Sequence, residues 1–258
     1  MPNLKIWEGH VVDGRHISSF SCLVSLVIEY CPMLTAMPCL PVVQNLHIRE
    51  GHAMLLNAYN ERNYEMLGTE VCLKTLSISS CKDVVSLPRE VVSCLSTSLQ
   101  ELKIDNCENL TSLSDGLRCL TVLKKLEISN CSQLASLPLL PDALQLLSIQ
   151  NCEMMSFLPE VLQQAASLQE LEIGGFFTLA VLPKWLGNLT SLKELHIWNC
   201  PSLMRLPEEV LHLPRLEKLY IYECLQLARR YEKDKGEDWD LISHIADVEI
   251  VSLKVLEG

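Results

Sequence analysis

The side chains that most often perform catalysis or hold cofactors do not form a recognisable set in this sequence. The seven histidines include no His-Glu-x-x-His pair, and no Cys-x-x-Cys spacing of the kind found in zinc sites occurs. There is no Gly-x-x-x-x-Gly-Lys-[Ser/Thr] phosphate loop, and no Ser-His-Asp or Cys-His arrangement can be assigned from spacing. We therefore expect no enzymatic activity, no catalytic or cofactor-binding residues, no cofactor and no metal ion.

Cysteine is the reactive side chain whose placement follows a pattern, and the pattern indicates packing. Seven of the twelve cysteines share one recurring position, which Phe176 occupies in another copy. A position that accepts a large ring requires apolar volume, so we predict buried, reduced thiols. Neighbouring copies would lie about 5 Å apart, a distance that also allows a disulfide, so the reducing compartment is inferred from the packing role. These seven positions, here called the cysteine column, are Cys31, Cys81, Cys107, Cys131, Cys152, Cys200 and Cys224.

The cysteine column belongs to a repeat that runs along the whole chain. A leucine is followed by apolar residues three and five positions later, by Cys after eight, by apolar residues after eleven and fourteen, and by Pro after fifteen. The copies that start at Leu123 and Leu192 fill every one of these positions. From Leu23 to Leu216, consecutive copies start 20 to 26 residues apart, which is within the range of leucine-rich repeats, except for one interval of 30.

Each Leu-x-Ile segment predicts a short strand, and such repeats are stable only when stacked. The predicted fold is therefore an α/β leucine-rich-repeat solenoid, a curved horseshoe with a parallel inner sheet and short helical or extended outer segments. We expect a single domain over residues 1–258 with about eleven repeats, an irregular insertion at 51–72 and a C-terminal cap at 229–258. The partial copy at Met1 would leave an unpaired strand at Leu4-Ile6, which suggests N-terminal truncation of a longer protein.

The outer segments differ with the length of the repeat. In two of the longer copies, Pro159 and Pro183 precede apolar residues at helical spacing, which predicts short helical turns that start at the proline. Two shorter copies contain paired prolines at 38 and 41 and at 138 and 141. Because proline fixes φ and lacks an amide proton, we expect an extended path without a helix there.

The best candidate for partner binding lies on the outward side of the predicted sheet. Phe, Trp and Tyr make up only 5% of the chain, yet Trp198, Tyr220 and Tyr222 fall with His196 on two adjacent strands beside the small Gly174. Exposed Trp and Tyr provide large, rigid contact area in protein interfaces. A charged rim would surround them. The alternative is that these rings pack on each other or on the C-terminal cap. The predicted partner-binding residues, here called the candidate surface, are the rings of His196, Trp198, Tyr220 and Tyr222 and the rim residues Glu170, Glu172, Glu194 and Lys218.

The charge balance argues against polyanionic partners. The chain has 21 basic and 32 acidic residues, with a formal net charge of −11. Nucleic acid and anionic membranes attract basic surfaces, so we expect neither as a partner.

The repeat, with Leu-Pro after the Cys segment, resembles the leucine-rich repeats of plant intracellular nucleotide-binding disease-resistance proteins, especially their coiled-coil class. The closing segment, with Arg229-Arg230-Tyr231, Gly236-Glu237-Asp238-Trp239 and His244-Ile245, is similar to the end of the C-terminal domain in that family. The resemblance implies a cytoplasmic module with a protein partner. That partner would be a pathogen effector, a modified host protein, or the receptor's own nucleotide-binding domain, which the module would hold inactive. The nucleotide switch of that family would lie outside this chain.

A second class of protein shares part of the pattern. Substrate adaptors of F-box ubiquitin ligases also use leucine-rich repeats with cysteine. Their repeats continue with an Ile-Thr-Asp-x-Gly-Leu type of segment, whereas Leu-Pro follows here, and no F-box is present in the sequence. The adaptor is therefore the alternative function.

Overall fold

The computed structural model describes residues 3–7, 11–12, 15–16, 20, 22–60, 63–64 and 70–252. Within them, ten short parallel strands form one sheet in which consecutive strands are neighbours, as predicted for the solenoid. A separate antiparallel pair is formed by β1 (Val11–Val12) and β2 (Arg15–His16). The strands of the main sheet are β3 (Ser25–Glu29), β4 (Asn45–Arg49), β5 (Thr75–Ser79), β6 (Glu101–Asp105), β7 (Lys125–Ser129), β8 (Leu146–Gln150), β9 (Glu170–Gly174), β10 (Glu194–Trp198), β11 (Lys218–Tyr222) and β12 (Asp247–Val251).

The register of the sheet stacks equivalent residues of successive repeats. Leu195 of β10 lies opposite Leu219 of β11, and Ile197 lies opposite Ile221. These Leu and Ile side chains are buried, while the residues between them face the other side of the sheet. Because strand side chains alternate, one face of the sheet covers the core and the other is left to contact solvent or a partner.

The N-terminal segment does not form the strand that the repeat predicts. Ile6 makes a single parallel bridge with Ala36, and Thr35 donates its amide proton to the Lys5 carbonyl oxygen at 2.9 Å. The segment therefore lies beside the outer part of the next repeat, and β3 is the end strand of the sheet in the described part of the chain. The prediction that Leu4-Ile6 extends the inner sheet was wrong, because the backbone groups of residues 35–36 offer it a different partner.

Short helices form most of the outer segments. Pro159 and Pro183 stand just before 3-10 helices as extended N-cap residues, rather than at the first helical position. The segments with paired prolines contain no helix, as predicted. None of the helices in the described ranges has the length and apolar character needed to cross a bilayer. The 3-10 helices are Ala53–Ala58, Asp115–Cys119, Glu160–Gln164 and Lys184–Asn188, and the α-helices are α1 (Arg89–Cys94), α2 (Glu208–Leu211), α3 (Leu225–Arg230) and α4 (Trp239–Ile242).

The chain makes the same backbone turn after nine consecutive strands of the main sheet. The residue directly after the last strand residue has a positive φ, and the next residue is a member of the cysteine column or, in two repeats, Gly51 or Phe176. Four of the nine are asparagine, which tolerates this left-handed conformation better than most residues. The nine residues are Tyr30, Glu50, Ser80, Asn106, Asn130, Asn151, Gly175, Asn199 and Glu223.

The predicted insertion at 51–72 and the predicted C-terminal cap at 229–258 both contribute residues to the core. Tyr59 and Tyr64 of the interval 51–72 are buried, and their rings stack with centroids 6.0 Å apart. At the C-terminal end, Tyr231 is fully buried and its hydroxyl accepts a hydrogen bond from the Leu206 amide at 3.2 Å. Trp239 packs against the same core with partial exposure. The last residues of the cap, 253–258, lie outside the described residues.

Candidate functional site

Three neighbouring strands bring the predicted partner-binding residues together. In the parallel register, His196 of β10 lies between Glu172 of β9 and Tyr220 of β11. Trp198 lies between Gly174 and Tyr222 in the same way. All eight residues of the candidate surface are therefore on one continuous part of the concave face, each partly exposed. The alternation of the strands fixes this arrangement, since the buried Leu and Ile positions leave these side chains on the opposite side.

Three of the four rings of the candidate surface contact one another. The His196 and Tyr220 ring centroids are 4.7 Å apart with planes tilted by 55°. Tyr220 and Tyr222 are two residues apart on β11, and their centroids are 6.3 Å apart with nearly parallel planes. These distances are those of favourable aromatic pairs. The rings of His196, Tyr220 and Tyr222 thus form a connected group rather than three independent side chains.

Trp198 lies over the backbone of β9 at Gly174. A Cβ atom built on Gly174 would collide with the Cε2 and Nε1 atoms of the indole. The absence of a side chain at Gly174 is therefore what allows the indole to settle onto the neighbouring strand. This contact holds one face of Trp198 against the sheet and leaves its other parts to solvent.

The two tyrosine hydroxyls are tied to the last strand. Tyr220 donates to the Asp247 carboxylate at 2.7 Å, and Tyr222 donates to the Glu249 carboxylate at 2.8 Å. Burial and the bond to Glu249 raise the pKa of Tyr222 to about 12, because both favour the neutral phenol. The C-terminal cap therefore orients both tyrosines through β12. This agrees in part with the alternative that the rings pack on the cap.

Charged side chains surround the rings as a connected rim. Lys218 donates to a Glu194 carboxylate oxygen at 2.8 Å, and this bond raises the lysine pKa. The Nε2 atom of His196 is 3.6 Å from Glu170 Oε1 and 3.7 Å from Glu194 Oε2. Burial, together with the negative charges of Glu172 and Glu194, raises the pKa of Glu170 above its usual range. Two carboxylates thus approach one imidazole, and a third, that of Glu172, belongs to the residue opposite His196 on β9.

Comparison with solved structures identifies the fold. The superposition on the leucine-rich-repeat domain of the type III effector XopL has a TM-score of 0.56 at 20% identity and covers 90% of this chain and 70% of that one. The chain has the leucine-rich-repeat fold. A chain of the Drosophila Toll–Spätzle complex also superposes, with a TM-score of 0.56 at 15% identity. That superposition covers 88% of this leucine-rich-repeat chain but only 36% of the chain from the complex.

A family model matches one part of the leucine-rich-repeat chain. Residues 153–224 match the model described as R13L1/DRL21 LRRs. The matched range contains β9, β10 and β11 completely, and so it contains all eight residues of the candidate surface. The search of curated proteins found no significant match.

The cysteine column lies on the core side of the leucine-rich repeats, away from the candidate surface. All seven side chains are buried, as predicted, and Phe176 is buried in the equivalent position. Burial raises the pKa of Cys107 and Cys131 to about 12 and that of Cys152 to about 11. Thiols with such pKa values are poor nucleophiles at neutral pH, so these three cysteines do not offer a reactive site.

A second polar network on the concave face was missed by the sequence analysis. Glu127 of β7 contacts Lys103 at 3.1 Å and Lys125 at 2.7 Å. Burial opposes its ionisation, but the hydrogen bonds from the two lysines dominate and lower its pKa. Asp105 accepts from the Ser129 hydroxyl at 2.6 Å and from the Asn130 amide at 2.8 Å. The opposite charges at these outward positions were visible in the sequence and could have indicated the pairing.

The grouping of Glu170, Glu172 and His196 was also missed. One ligand atom from each residue lies within 4.8 Å of the other two, a spacing that can hold a metal ion. The three residues come from two strands in different repeats, so no short sequence motif marks them. Only the in-register pairing of β9 and β10 brings them together.

Proposed function

We propose that this leucine-rich-repeat chain is a protein-recognition module that binds its partner through the candidate surface. The observation that carries the proposal is the group of rings on β10 and β11, assembled on an outward face in a chain with few aromatic residues. The contact of the Trp198 indole with Gly174 and the bonds from the tyrosine hydroxyls to β12 hold these rings in place before binding. Preorganised aromatic side chains lose little conformational entropy on association, which favours tight contact.

We further propose that the module serves a plant immune receptor in the cytoplasm. Two observations support this role: the match of residues 153–224 to the R13L1/DRL21 LRRs, and the similarity of the closing segment to plant disease-resistance proteins. The partner would then be a pathogen effector, a host protein modified by one, or the receptor's own nucleotide-binding domain, held inactive by the contact. The substrate adaptor of an F-box ubiquitin ligase is the alternative.

Replacement of two rings tests the recognition surface. The double variant Trp198→Ala with Tyr222→Ala should lose partner capture from plant tissue by tenfold or more, since buried aromatic anchors contribute about 2 kcal/mol or more at interfaces. Its thermal unfolding midpoint should stay within roughly 4 °C of the parent chain, because both side chains are partly exposed. The measurement is quantitative mass spectrometry of captured proteins together with a thermal melt.

A matched control removes two other exposed rings. Phe157 and Phe177 lie outside the strands and are 66% and 56% exposed, so Phe157→Ala with Phe177→Ala should leave capture intact. Equal capture by both double variants would contradict the proposed surface, and a large loss of thermal stability in the first would make the rings structural. Ubiquitin-ligase subunits among the captured proteins would favour the adaptor.

A further inference from the structure

Within the candidate surface, two glutamates and a histidine form a group with the geometry of metal ligands. Glu172 and His196 lie directly opposite each other on β9 and β10, and Glu170 lies two residues before Glu172 on the same face. One ligand atom from each falls within 4.8 Å of the others. Ligands about 2.1 Å from a tetrahedral ion are about 3.4 Å apart, so the 3.6 Å between His196 Nε2 and Glu170 Oε1 is already close to a bound geometry.

The imidazole nitrogen that points into this group has no hydrogen-bond partner. Nε2 of His196 is inaccessible to solvent, although the side chain as a whole is 23% exposed. Its nearest charged atoms are the carboxylate oxygens of Glu170 and Glu194, both beyond hydrogen-bond distance. A buried polar atom without a partner costs free energy, and here an electron pair on nitrogen can be satisfied by a cation held between the carboxylates.

The negative charge of the group is only partly balanced by the neighbouring residues. The ammonium group of Lys218 bonds to Glu194, and the Gln150 amide donates to Glu172 at 3.3 Å. Glu170 has no such donor within hydrogen-bond distance among the described residues, and one of its carboxylate oxygens lies within 4.8 Å of one from Glu172, so the two negative charges repel each other. A divalent cation would relieve this repulsion, because it places positive charge between the carboxylates.

We propose that Glu170, Glu172 and His196 bind a zinc ion on the concave face. One imidazole nitrogen and two carboxylates suit a first-row transition metal better than Mg²⁺ or Ca²⁺, which prefer oxygen ligands alone. Glu170 and His196 are 28% and 23% exposed, so a further coordination position would be open to water or to a partner's side chain. The ion would also hold the His196 ring against Tyr220, which joins the metal site to the aromatic group.

Zinc titration of the full chain tests the site without any partner, so its outcome is separate from that of the recognition experiment. Isothermal titration calorimetry with Zn²⁺ alone should show one ion per chain. Glu170→Gln and His196→Gln should each weaken that binding by at least tenfold, while Mg²⁺ should not compete. Far-UV circular dichroism and a melt without metal establish that each variant is folded. Glu170→Gln removes a charge but keeps the side-chain volume. It therefore tests the site even if the histidine variant does not fold.

A control variant and a direct measurement of the ligands complete the test. Glu127→Gln alters a glutamate on the same face that is paired with two lysines, and zinc affinity should be unchanged. X-ray absorption of the zinc-loaded chain should show nitrogen and oxygen ligands near 2.0–2.1 Å. Sulfur ligands near 2.3 Å would assign the ion to exposed cysteines and overturn the proposal. Absence of binding, or equal binding by all three variants, would overturn it as well.

Discussion

The seven thiols of the cysteine column all make the same contact. Each donates a hydrogen bond to the backbone carbonyl oxygen two residues earlier, as Cys131 does to Ser129 at 3.3 Å and Cys107 to Asp105 at 3.6 Å. A thiol is small and nearly apolar, so it fills the column and satisfies a carbonyl group at once. Phe176 is buried at the equivalent position, so an apolar side chain can fill this space without the hydrogen bond. Cysteine at this position is therefore explained by packing, without redox or metal chemistry.

The raised pKa values of Cys131 and Cys152 predict how these two thiols respond to pH, and burial predicts how the whole column responds to labelling. A thiol whose pKa is higher in the folded than in the unfolded chain favours folding fully below the unfolded pKa, near 8.5. That contribution declines as pH rises from there through the folded values of about 11 for Cys152 and about 12 for Cys131. At pH 8, alkylation of the native chain should modify the exposed Cys72 and Cys119 rapidly and the column slowly.

Peptide mapping by mass spectrometry measures this difference residue by residue. In denaturant every cysteine should react at a similar rate, which serves as the internal control. Rapid modification of the column in the native chain, or disulfides in the intact mass, would contradict its assignment as buried thiols. A native chain that keeps the same unfolding midpoint from pH 8 to pH 11 would contradict the folded pKa values.

At the scale of the element, each repeat depends on a turn in the left-handed conformation at the end of its strand. Asparagine side chains bridge some of these turns: Asn151 Nδ2 donates to Asn130 Oδ1 at 2.9 Å, and Asn106 Nδ2 donates to the Ser80 hydroxyl. Tyr30, Glu50 and Glu223 adopt a similar positive φ, at a cost of about 1–2 kcal/mol each. The repeat therefore accepts local strain at one position in exchange for stacked strands.

Glu223 permits a clean test of this turn, because it is exposed and has a φ of 54°. Glu223→Val should lower the free energy of unfolding by about 1–2 kcal/mol, since a β-branched side chain clashes in the left-handed region. Glu223→Gly should have little effect or increase stability. Glu217→Val, at an exposed glutamate of the same repeat without positive φ, is the control and should change stability by less than about 0.5 kcal/mol. Chemical denaturation measures all three, and equal losses at both sites would refute the strain argument.

The limits of sequence-based prediction also lie at the scale of the element. Periodicity located the ten strands and the outward positions, because a two-residue alternation determines which side chains face the core. It did not place the indole of Trp198 over Gly174 or the tyrosine hydroxyls on β12, which depend on neighbours one repeat away. The left-handed turn was overlooked, although asparagine recurs at its position. The N-terminal segment was misplaced because it pairs through backbone groups that carry no side-chain signal.

The whole molecule is a linear array in which each repeat contacts chiefly its neighbours. β7 pairs with β6 and β8, and the array ends at β3 and β12 in the described part of the chain. Interior repeats gain stability from two interfaces, whereas an end repeat gains it from one. Leu147 of β8 is fully buried, while Leu26 at the equivalent position of β3 is only partly buried. Stability should therefore decrease from the centre of the array towards its ends.

Two matched leucine substitutions test this gradient. Leu147→Ala should cost about 2–5 kcal/mol, because it opens a cavity between two neighbouring repeats, and Leu26→Ala should cost clearly less. Amide hydrogen exchange measured by mass spectrometry gives the spatial extent of each effect. In a linear array, Leu26→Ala should speed exchange in β3 and β4 and leave β9 and β10 protected, whereas Leu147→Ala should speed exchange on both of its sides. If Leu26→Ala instead accelerated exchange equally in every strand, the chain would unfold as one globular unit, and nearest-neighbour stacking would not describe its stability.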